Sequence, residues 1–441
     1  MFMENVIACI WKPVADEYYS SYQKAIALPP EQLFENLTDE MKQINFAELR
    51  DEWFVMTNLP VTGCMHCIKK GQFAGCSFCD YYSHTAEPLA RVTALKDKRP
   101  DLYAKLISLS FKMTRGNHCE PAIVEYVSGH DTLSPEIMTE EVYDEIDKMG
   151  EMFKSKALYT FFETRASNIS VERIEKWKKH IGDKVSKRIV VEFGVEAGNE
   201  WIRNHWLNKN VTDADIKNAI DQTHEAGLYT ATSVIIGLPG LNDAQSAKVF
   251  KNSFLKLYDM GTDFIICVPL VRKGKTVQDY LYDVLNENEE LIKTGAVKGE
   301  HTGMPWIVTV LESICEILKE RPGAEKKMIL GPVYFRPYLK KMSLMELEEP
   351  EKKMTLQIIE GIEHYVKWKR PEELFRLQEE MRKNKIYRKY LNLLRYQEET
   401  FPMEAVMKTT AEELAKTLWE DSWKEKREKF FEEINEFTDD Q

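Results

Sequence analysis

The sequence predicts a parallel α/β fold followed by a mostly helical C-terminal region. Six short runs rich in β-branched and aromatic residues recur between residues 53 and 269, with helical patterns between them, and after about residue 286 only helical patterns remain. Strands and helices that alternate in this way indicate a parallel sheet with right-handed crossovers, either curved into a barrel or wound as an open sheet. The predicted strands span residues 53–59, 122–127, 157–162, 188–194, 228–236 and 263–269.

The segments between these strands carry helix signals. Ser170 and Thr212 stand at predicted N-caps, and Gly227 stands where a helix should end. Whether the sheet is a barrel or open, a ligand site is expected at the carboxyl ends of its strands. Helical periodicity is clear in residues 135–154, 170–181, 212–226 and 243–260.

Length and pattern predict three parts of the chain. A length of 441 residues exceeds what one hydrophobic core usually supports, so more than one unit is expected. Residues 1–50 are predicted to be a helical lead-in without chemical signals, residues 51–285 the α/β unit, and residues 286–441 a helical accessory domain. The charge runs of the accessory domain are interpreted as solvated helix faces.

Charge and targeting signals limit the possible functions. Lys and Arg total 60 and Asp and Glu total 72, which gives a net charge of −12 and disfavours an interface that follows a long phosphate backbone. The N-terminal residues lack a secretory-signal pattern, and 18 consecutive apolar residues occur nowhere, so no membrane span is expected. The sequence therefore predicts a cytoplasmic protein.

Four of the eight cysteines form a compact array. Cys64, Cys67, Cys76 and Cys79 have the spacing C-x2-C-x8-C-x2-C directly after the first predicted strand. Such an array fits a structural zinc site or an iron–sulfur cluster, and the spacing alone does not decide between them. The position at the carboxyl end of a strand, where α/β folds perform their chemistry, favours the reactive cluster.

The surrounding residues resemble the radical S-adenosylmethionine (SAM) superfamily. Its cysteine loop ends in C-x-aromatic-C after the first strand of a partial barrel, as Ser77-Phe78-Cys79 does here. The gap between the first two cysteine ligands is longer here than in the family's standard loop. This longer gap and the opening Gly63-Cys64-Met65-His66 are similar to those of the archaeosine-synthase radical subunit and the elongator-like branch. The resemblance implies a partial (β/α)6 TIM-like barrel, a [4Fe-4S] cluster on Cys64, Cys76 and Cys79, and SAM as cofactor. Cys67 is the alternative first ligand, or a spare thiol.

Two motifs follow the second and third predicted strands. Ser128, Gly129, His130 and Asp131 stand where the family's glycine-rich turn meets the amino group of SAM, and Asp131 could accept hydrogen bonds from it. An ordinary turn is the other interpretation. Glu163 and Arg165 resemble the branch's Glu-x-Arg, which implies that the carboxylate holds ribose hydroxyls and the guanidinium holds the SAM carboxylate. An ion pair at the barrel rim is the structural alternative.

The fourth and fifth predicted strands complete the resemblance. Glu192, Gly194 and Glu196 share one face of the fourth strand, where two inward carboxylates need a polar ligand or cationic partners. The strand is similar to the family's E-x-G-x-E/Q-S pattern, which implies that Glu192 and Glu196 contact SAM. The segment 206–209 resembles the family's LNKG element, although Asn210 replaces its glycine. The fifth strand ends in the turn Gly237-Leu238-Pro239-Gly240, which in the family lies beside adenine.

The remaining cysteines give no second paired array. Cys267 is predicted to pack as a small apolar residue within the sixth strand, and Cys119 and Cys315 stand alone. An auxiliary cluster of the usual multi-cysteine kind is therefore not expected.

The sequence thus predicts an enzyme that cleaves SAM reductively to a 5′-deoxyadenosyl radical, which abstracts hydrogen from a small metabolite or nucleoside. The expected partners are this small molecule and a low-potential electron donor of the flavodoxin or ferredoxin type. Two alternatives stay open: an enzyme that modifies a tRNA nucleobase, for which a compensating basic surface would be needed, and a zinc-stabilised binding protein without redox chemistry.

Overall fold

A single parallel sheet organises the chain. The computed structural model describes residues 1–45, 54–69, 72–82, 85–116, 123–150, 157–181, 188–299, 302–330, 344–345 and 347–439. Seven strands follow one another across the sheet in chain order, and every neighbouring pair is parallel. They are β1 (Phe54–Asn58), β2 (Val124–Ser128), β3 (Tyr159–Thr164), β4 (Arg188–Glu196), β5 (Tyr229–Ile236), β6 (Phe264–Pro269) and β7 (Met328–Leu330).

The predicted fold class is confirmed. All six predicted strands are present, and the sheet forms a partial barrel of the α/β class. The seventh strand was not predicted. It lies within residues 286–441, so this mostly helical region contributes one strand to the sheet beside β6. A run of only three residues, Met328–Leu330, carries too little pattern to be recognised as a strand.

Helices surround the sheet and form the C-terminal region. In the described residues they are α1 (Phe2–Ile10), α2 (Lys12–Ala27), α3 (Pro30–Asn45), α4 (Ala86–Lys98), α5 (Pro100–Gly116), α6 (Glu140–Lys148), α7 (Val171–His180), α8 (Asp213–Glu225), α9 (Asp243–Met260), α10 (Val277–Val284), α11 (Glu289–Thr294), α12 (Ile307–Glu320), α13 (Glu351–Trp368), α14 (Pro371–Met381), α15 (Lys385–Thr400), α16 (Met403–Leu418) and α17 (Trp423–Glu433).

The predicted helix boundaries are confirmed at α7 and α8. The Ser170 side chain accepts a hydrogen bond from the Arg173 amide at 3.3 Å. Thr212 and Asp215 form a capping box at the start of α8, and Gly227 has a φ of +73° just after its end.

The predicted helix over residues 135–154 is observed as a shorter element, Glu140–Lys148. The Ser134 carbonyl accepts hydrogen bonds from the amides of Ile137 and Met138 at 3.0 and 2.9 Å, so turns replace the first helical residues. Thr139 then has extended backbone angles and begins the helix. Residues 151–156 lie outside the described residues.

The two faces of the sheet differ in composition. One face packs against helices through apolar side chains such as Phe162, Val191 and Ile236, which belong to the main core. The interior face carries Phe161 and Val190, which are buried in a small separate group. Because successive strand residues point to opposite faces, this alternation fixes which side chains enter the barrel.

The N-terminal helices pack against the other end of the chain. The Phe2 ring lies 5.7 Å from Trp419 and 5.0 Å from Phe430 between centroids, and the Phe2 amide donates to the Glu433 carboxylate at 2.8 Å. The lead-in and the last two helices are therefore in direct contact. The three predicted units remain a prediction. Within the described residues, no helix is both long and apolar enough to cross a membrane.

Candidate active site

The four cysteines of the array lie together at the carboxyl end of β1. They belong to residues 59–82, here called the cysteine loop. The Cys67 amide donates to the Cys64 carbonyl at 3.0 Å, and the Cys79 amide donates to the Cys76 carbonyl at 3.1 Å, so each C-x2-C pair forms a tight turn. The charge of each thiolate would affect the pKa values of the others.

Cys64 and Cys67 occupy different surroundings. Cys67 is only 2% exposed, and a Cβ placed on Gly75 would lie 2.8 Å from its sulfur and from the Trp11 ring. Cys64 is partly exposed and lies beside Arg165. A hydrogen bond from the Cys67 thiol lowers the pKa of Cys64, and the positive charge of Arg165 acts in the same direction. Cys64 is therefore the thiol of this pair that lies next to a cation.

Of the remaining two thiols, Cys76 is buried beside positive charges and Cys79 is partly buried. Burial raises the pKa of Cys76, and the charges of Lys209 and Arg165 oppose this rise. Burial also raises the pKa of Cys79 to about 12. Two cations next to soft thiolate donors suit an anionic iron–sulfur group. In the described part of the chain, no three side chains of His, Cys, Asp or Glu converge closely enough to hold one metal ion.

The segment after β4 holds the cysteine loop in place. The Asn208 side chain donates to the Gly75 carbonyl at 2.7 Å, and the Asn208 carbonyl lies 2.5 Å from Nε2 of His66. The Ser77 amide donates to the Leu207 carbonyl at 3.0 Å. Both C-x2-C turns are thus fixed to the same short segment. The family resemblance pointed to this segment, but its hydrogen bonds to the cysteine loop were not predicted.

Aromatic residues that the sequence analysis did not select surround the loop. The Trp11 indole donates to the Lys275 carbonyl at 2.8 Å, and its ring lies 5.9 Å from that of Tyr82. Gly63 has a φ of +96°, and a Cβ there would collide with the Tyr82 hydroxyl. The pair Tyr81-Tyr82 directly after the last cysteine was an available signal. No sequence pattern around Trp11 indicated a functional role, and the helical lead-in that contains it was predicted to carry no chemistry.

Asp131 contacts the end of β3. Its Oδ1 accepts hydrogen bonds from the Thr164 hydroxyl at 2.7 Å and from the Arg165 amide at 3.1 Å, and its Oδ2 accepts one from Asn168 at 2.6 Å. Asp131 is also completely buried. These contacts fix the backbone that presents Arg165, so Asp131 acts as a positioning residue here. Its predicted contact with SAM remains untested.

Glu163 and Arg165 do not pair with each other among the described contacts. The Ser128 hydroxyl donates to Oε2 of Glu163 at 3.1 Å, and Nδ1 of His130 lies 3.8 Å from the same oxygen. The Arg165 guanidinium instead donates to the Lys209 carbonyl at 2.8 Å. The rim ion pair considered from the sequence is therefore not the arrangement found.

The His130 ring is held against the cysteine loop. Its centroid lies 3.5 Å from that of Tyr81, and its backbone has a φ of +57°. The turn at Ser128, Gly129 and His130 therefore stands between the cysteine loop and Glu163.

The two carboxylates of β4 have different partners. Glu196 forms a buried ion pair with Lys209 at 2.7 Å. A Cβ on Gly194 would collide with both of these side chains, which explains the glycine there. Glu192 has no such cation, and burial raises its pKa to about 8, with the charge of Glu163 adding to the rise. The pairing of Glu196 confirms that one of the two carboxylates has a cationic partner.

The turn after β5 touches the segment after β4. The Trp206 indole donates to the Pro239 carbonyl at 2.8 Å, and the Leu238 amide donates to the Ser246 hydroxyl oxygen at 3.1 Å. Gly237 and Gly240 have φ values of +97° and +67°, which favour glycine. The predicted turn is therefore adjacent to the element that fastens the cysteine loop.

The other predicted cysteines lie away from this site. Cys267 is fully buried in the main core, so its predicted apolar packing is confirmed. Cys315 is also fully buried there. His118 and Cys119 lie outside the described residues.

The fold and site define a partial α/β barrel with a partly buried four-cysteine loop at the carboxyl end of its first strand. The chain is similar to archaeosine synthase subunit beta of Thermococcus kodakarensis, with 23% identity over 281 residues that cover 62% of this chain and 74% of the relative. The resemblance predicted from the sequence is thereby confirmed. No family model matches the chain.

Two solved structures show weaker likeness. Elp3 of the archaeon Methanocaldococcus infernus is 13% identical with a TM-score of 0.39, over 72% of this chain and 63% of that chain. The radical S-adenosylmethionine methyltransferase TsrM of Kitasatospora setae is 11% identical with a TM-score of 0.35, over 64% of this chain and 54% of that chain. The chain thus spans less than two thirds of the length of Elp3 and of TsrM.

Proposed function

We propose that this chain is a radical SAM enzyme that binds a [4Fe-4S] cluster through Cys64, Cys76 and Cys79. The observation that carries the proposal is the fastened cysteine loop at the carboxyl end of β1, in which Cys76 lies beside both Arg165 and Lys209. Similarity to archaeosine synthase subunit beta supports it. When bound, the cluster would supply the electron that breaks a C–S bond of SAM and leaves a 5′-deoxyadenosyl radical.

Cys64 is the proposed third ligand because of its surroundings. It is partly exposed beside Arg165, whereas Cys67 is buried between Gly75 and Trp11. The hydrogen bond from Cys67 favours the thiolate form of Cys64. Cys67 would then be a supporting thiol that stabilises the ligand charge.

The chain's own residues would bind and orient SAM around this loop. Arg165 is the proposed partner of the SAM carboxylate, because Asp131 fixes its backbone and its guanidinium already lies beside Cys64. The turn of Ser128, Gly129 and His130 would receive the amino group, and a hydrogen bond from the Ser128 hydroxyl to Glu163 at 3.1 Å holds this turn. The turn at Gly237, Leu238 and Pro239 is proposed to lie beside adenine.

The substrate proposed first is a small metabolite or nucleoside, with an electron donor of the flavodoxin or ferredoxin type. The cytoplasmic location remains a prediction. A zinc site on the same thiols is the structural alternative, and the metal and sulfide content of the protein distinguishes the two.

A tRNA substrate is the second candidate, and one surface favours it. Lys385, Arg388 and Lys389 project from one side of α15 and, with Asn392 and Leu393, line a cavity of about 490 Å³. All three cations are exposed, and none has an ion pair within the described part of the chain. This is the kind of basic surface that a tRNA enzyme with a net charge of −12 would need.

Anaerobic reconstitution tests the leading proposal. We expect about four irons and four sulfides per chain, loss of both in Cys76→Ala and Cys79→Ala, and 5′-deoxyadenosine after addition of dithionite and SAM. Cys9→Ala is the matched control, since Cys9 is a partly exposed cysteine outside the loop. Stoichiometric zinc without acid-labile sulfide in freshly isolated protein would contradict the proposal.

A further inference from the structure

Two carboxylates are neighbours on the interior face of the barrel. Glu163 on β3 and Glu192 on β4 are paired across the sheet in register. Both side chains point inward, since Phe161 and Val190, two residues earlier on each strand, lie on the interior face. Adjacent carboxylates repel each other unless a cation or a proton intervenes.

Glu192 lacks a charged partner. It is 6% exposed, and Tyr126 and the Ser233 hydroxyl, which is 3.4 Å from Oε1, hydrogen-bond to its carboxyl group. Its Oε2 has no hydrogen-bond partner among the described residues. The nearby cations are engaged elsewhere. Lys209 pairs with Glu196 at 2.7 Å, and Arg165 donates to the Lys209 carbonyl at 2.8 Å. A buried carboxyl oxygen without a partner is costly and indicates a ligand.

Aromatic rings form the layer beneath this pair. The Tyr126 and Phe161 rings are stacked with centroids 6.5 Å apart, and Phe264 lies 6.2 Å from Phe161. Tyr126 precedes Ser128 on β2 by two positions, and Phe161 precedes Glu163 on β3 by two positions. Both rings therefore lie deeper in the barrel than the carboxylates. Carboxylates above aromatic rings are a typical environment for an organic cation.

We propose that Glu163 and Glu192 together bind a positively charged amine or guanidinium group of the substrate. That the cation belongs to the substrate rests on the proposed function, whereas the cation site itself rests on the geometry. SAM also carries a positive charge, so the bound cation has two candidate sources, the substrate and SAM. The family resemblance implies SAM as the ligand of both glutamates. The aromatic layer beneath them is our reason for assigning the pair to the substrate, because it places both carboxylates on the barrel side of the site.

The ionisation of Glu192 is consistent with this site. Burial raises its pKa to about 8, the charges of Glu163 and Glu196 raise it further, and Tyr126 and Ser233 oppose the rise through hydrogen bonds. A cation bound between the two glutamates would replace the proton of Glu192 and stabilise both charges.

The first experiment measures stabilisation of the full chain by cationic probes. 1,5-Diaminopentane and agmatine are titrated in thermal unfolding, with 1,5-pentanediol as the uncharged counterpart. We expect both cations to raise the Tm and the diol not to, and Glu192→Gln and Glu163→Gln each to weaken the apparent affinity at least about fivefold. This measurement needs no cluster and no SAM cleavage, so its outcome is independent of the proposed function.

The matched control is Glu125→Gln. Glu125 is a buried carboxyl of β2 on the opposite face from Tyr126, close to the Thr57 hydroxyl at 3.4 Å. This variant should keep the cation-dependent shift. The cation site is rejected if neither cation shifts the Tm, if the diol shifts it equally, or if Glu192→Gln responds like the wild type.

The second experiment separates the substrate from SAM. Equilibrium dialysis of SAM against reconstituted protein should give the same affinity, within about twofold, for the wild type and Glu192→Gln. A tenfold loss in the variant would assign the carboxyl to SAM and overturn the substrate assignment. If the wild type fails to bind SAM at all, the proposed function fails, while the first experiment still decides the cation site.

Discussion

The Asn208 side chain joins the segment after β4 to the cysteine loop, because its amide donates to the Gly75 carbonyl at 2.7 Å. The backbone carbonyl of Asn208 contacts Nε2 of His66, which lies between Cys64 and Cys67. One fully buried residue therefore connects both halves of the loop.

Substitution of Asn208 should loosen the loop. Asn208→Gly removes the hydrogen bond to Gly75 but suits the backbone, whose φ is +53°, whereas Asn208→Ala adds conformational strain. We expect a loss of roughly 1–3 kcal/mol in the free energy of unfolding for Asn208→Gly, and a larger loss for Asn208→Ala. Urea unfolding and iron retention after gel filtration measure the two effects. Unchanged iron retention in both variants would show that the fastening is dispensable.

Serine substitutions of Cys64 and Cys67 should distinguish the cluster ligand from the supporting thiol. Cys64→Ser is expected to abolish the cluster absorbance, and Cys67→Ser to keep it with an altered reduction potential, because the hydrogen bond to Cys64 is weakened. Anaerobic absorbance and redox titration provide the measurement. Loss of the cluster in Cys67→Ser but not in Cys64→Ser would reverse the assignment.

Removal of the Arg165 guanidinium should weaken SAM binding. Arg165→Ala should cost roughly 2–4 kcal/mol in SAM affinity, because the SAM carboxylate would lose its charged partner in a buried site. Arg165→Lys keeps the charge but loses the bidentate geometry, so an intermediate affinity is expected. Equilibrium dialysis on cluster-loaded protein provides the test. Equal affinity of the alanine variant and the wild type would return Arg165 to a structural role, in which it holds the Lys209 carbonyl.

The sequence predicted the strands and the cysteine array because both depend on local patterns. β-branched runs mark β1 to β6, and the spacing of Cys64 to Cys79 is visible without any tertiary information. The contacts of Asp131 could not be predicted in this way, since a strand-end carboxylate can face a ligand or its neighbouring strand. The role of Trp11 depends on packing between segments more than 50 residues apart.

Charge reversal on α15 tests the tRNA alternative. If tRNA binds at the cavity lined by Lys385, Arg388 and Lys389, the double variant Lys385→Glu/Lys389→Glu should bind tRNA more weakly and with a salt slope smaller by about two. Lys326→Glu/Lys424→Glu is the matched control, with the same charge change at two other exposed lysines. Filter binding over a range of salt concentrations provides the measurement. Equal binding by both double variants would leave the small-molecule substrate as the supported candidate.

The buried Glu192 should make stability decrease as pH rises. Its pKa is about 8 in the folded chain against an ordinary value of 4.5, because of burial and then the charge of Glu163. Between these values the unfolded chain releases this proton and the folded chain keeps it, so each rise in pH favours unfolding until the folded pKa is passed.

Glu192→Gln removes this titration. The variant should therefore gain stability over the wild type between pH 5 and pH 8, by an amount that approaches roughly 5 kcal/mol as an upper bound. Glu163→Gln removes one of the charges that raise this pKa, so the wild-type trend should shrink in that variant. Urea unfolding at pH 5, 6.5 and 8 measures all three proteins. A difference between Glu192→Gln and the wild type that does not grow with pH would mean that Glu192 is ionised at neutral pH, and that a cation of the chain itself already lies within its reach.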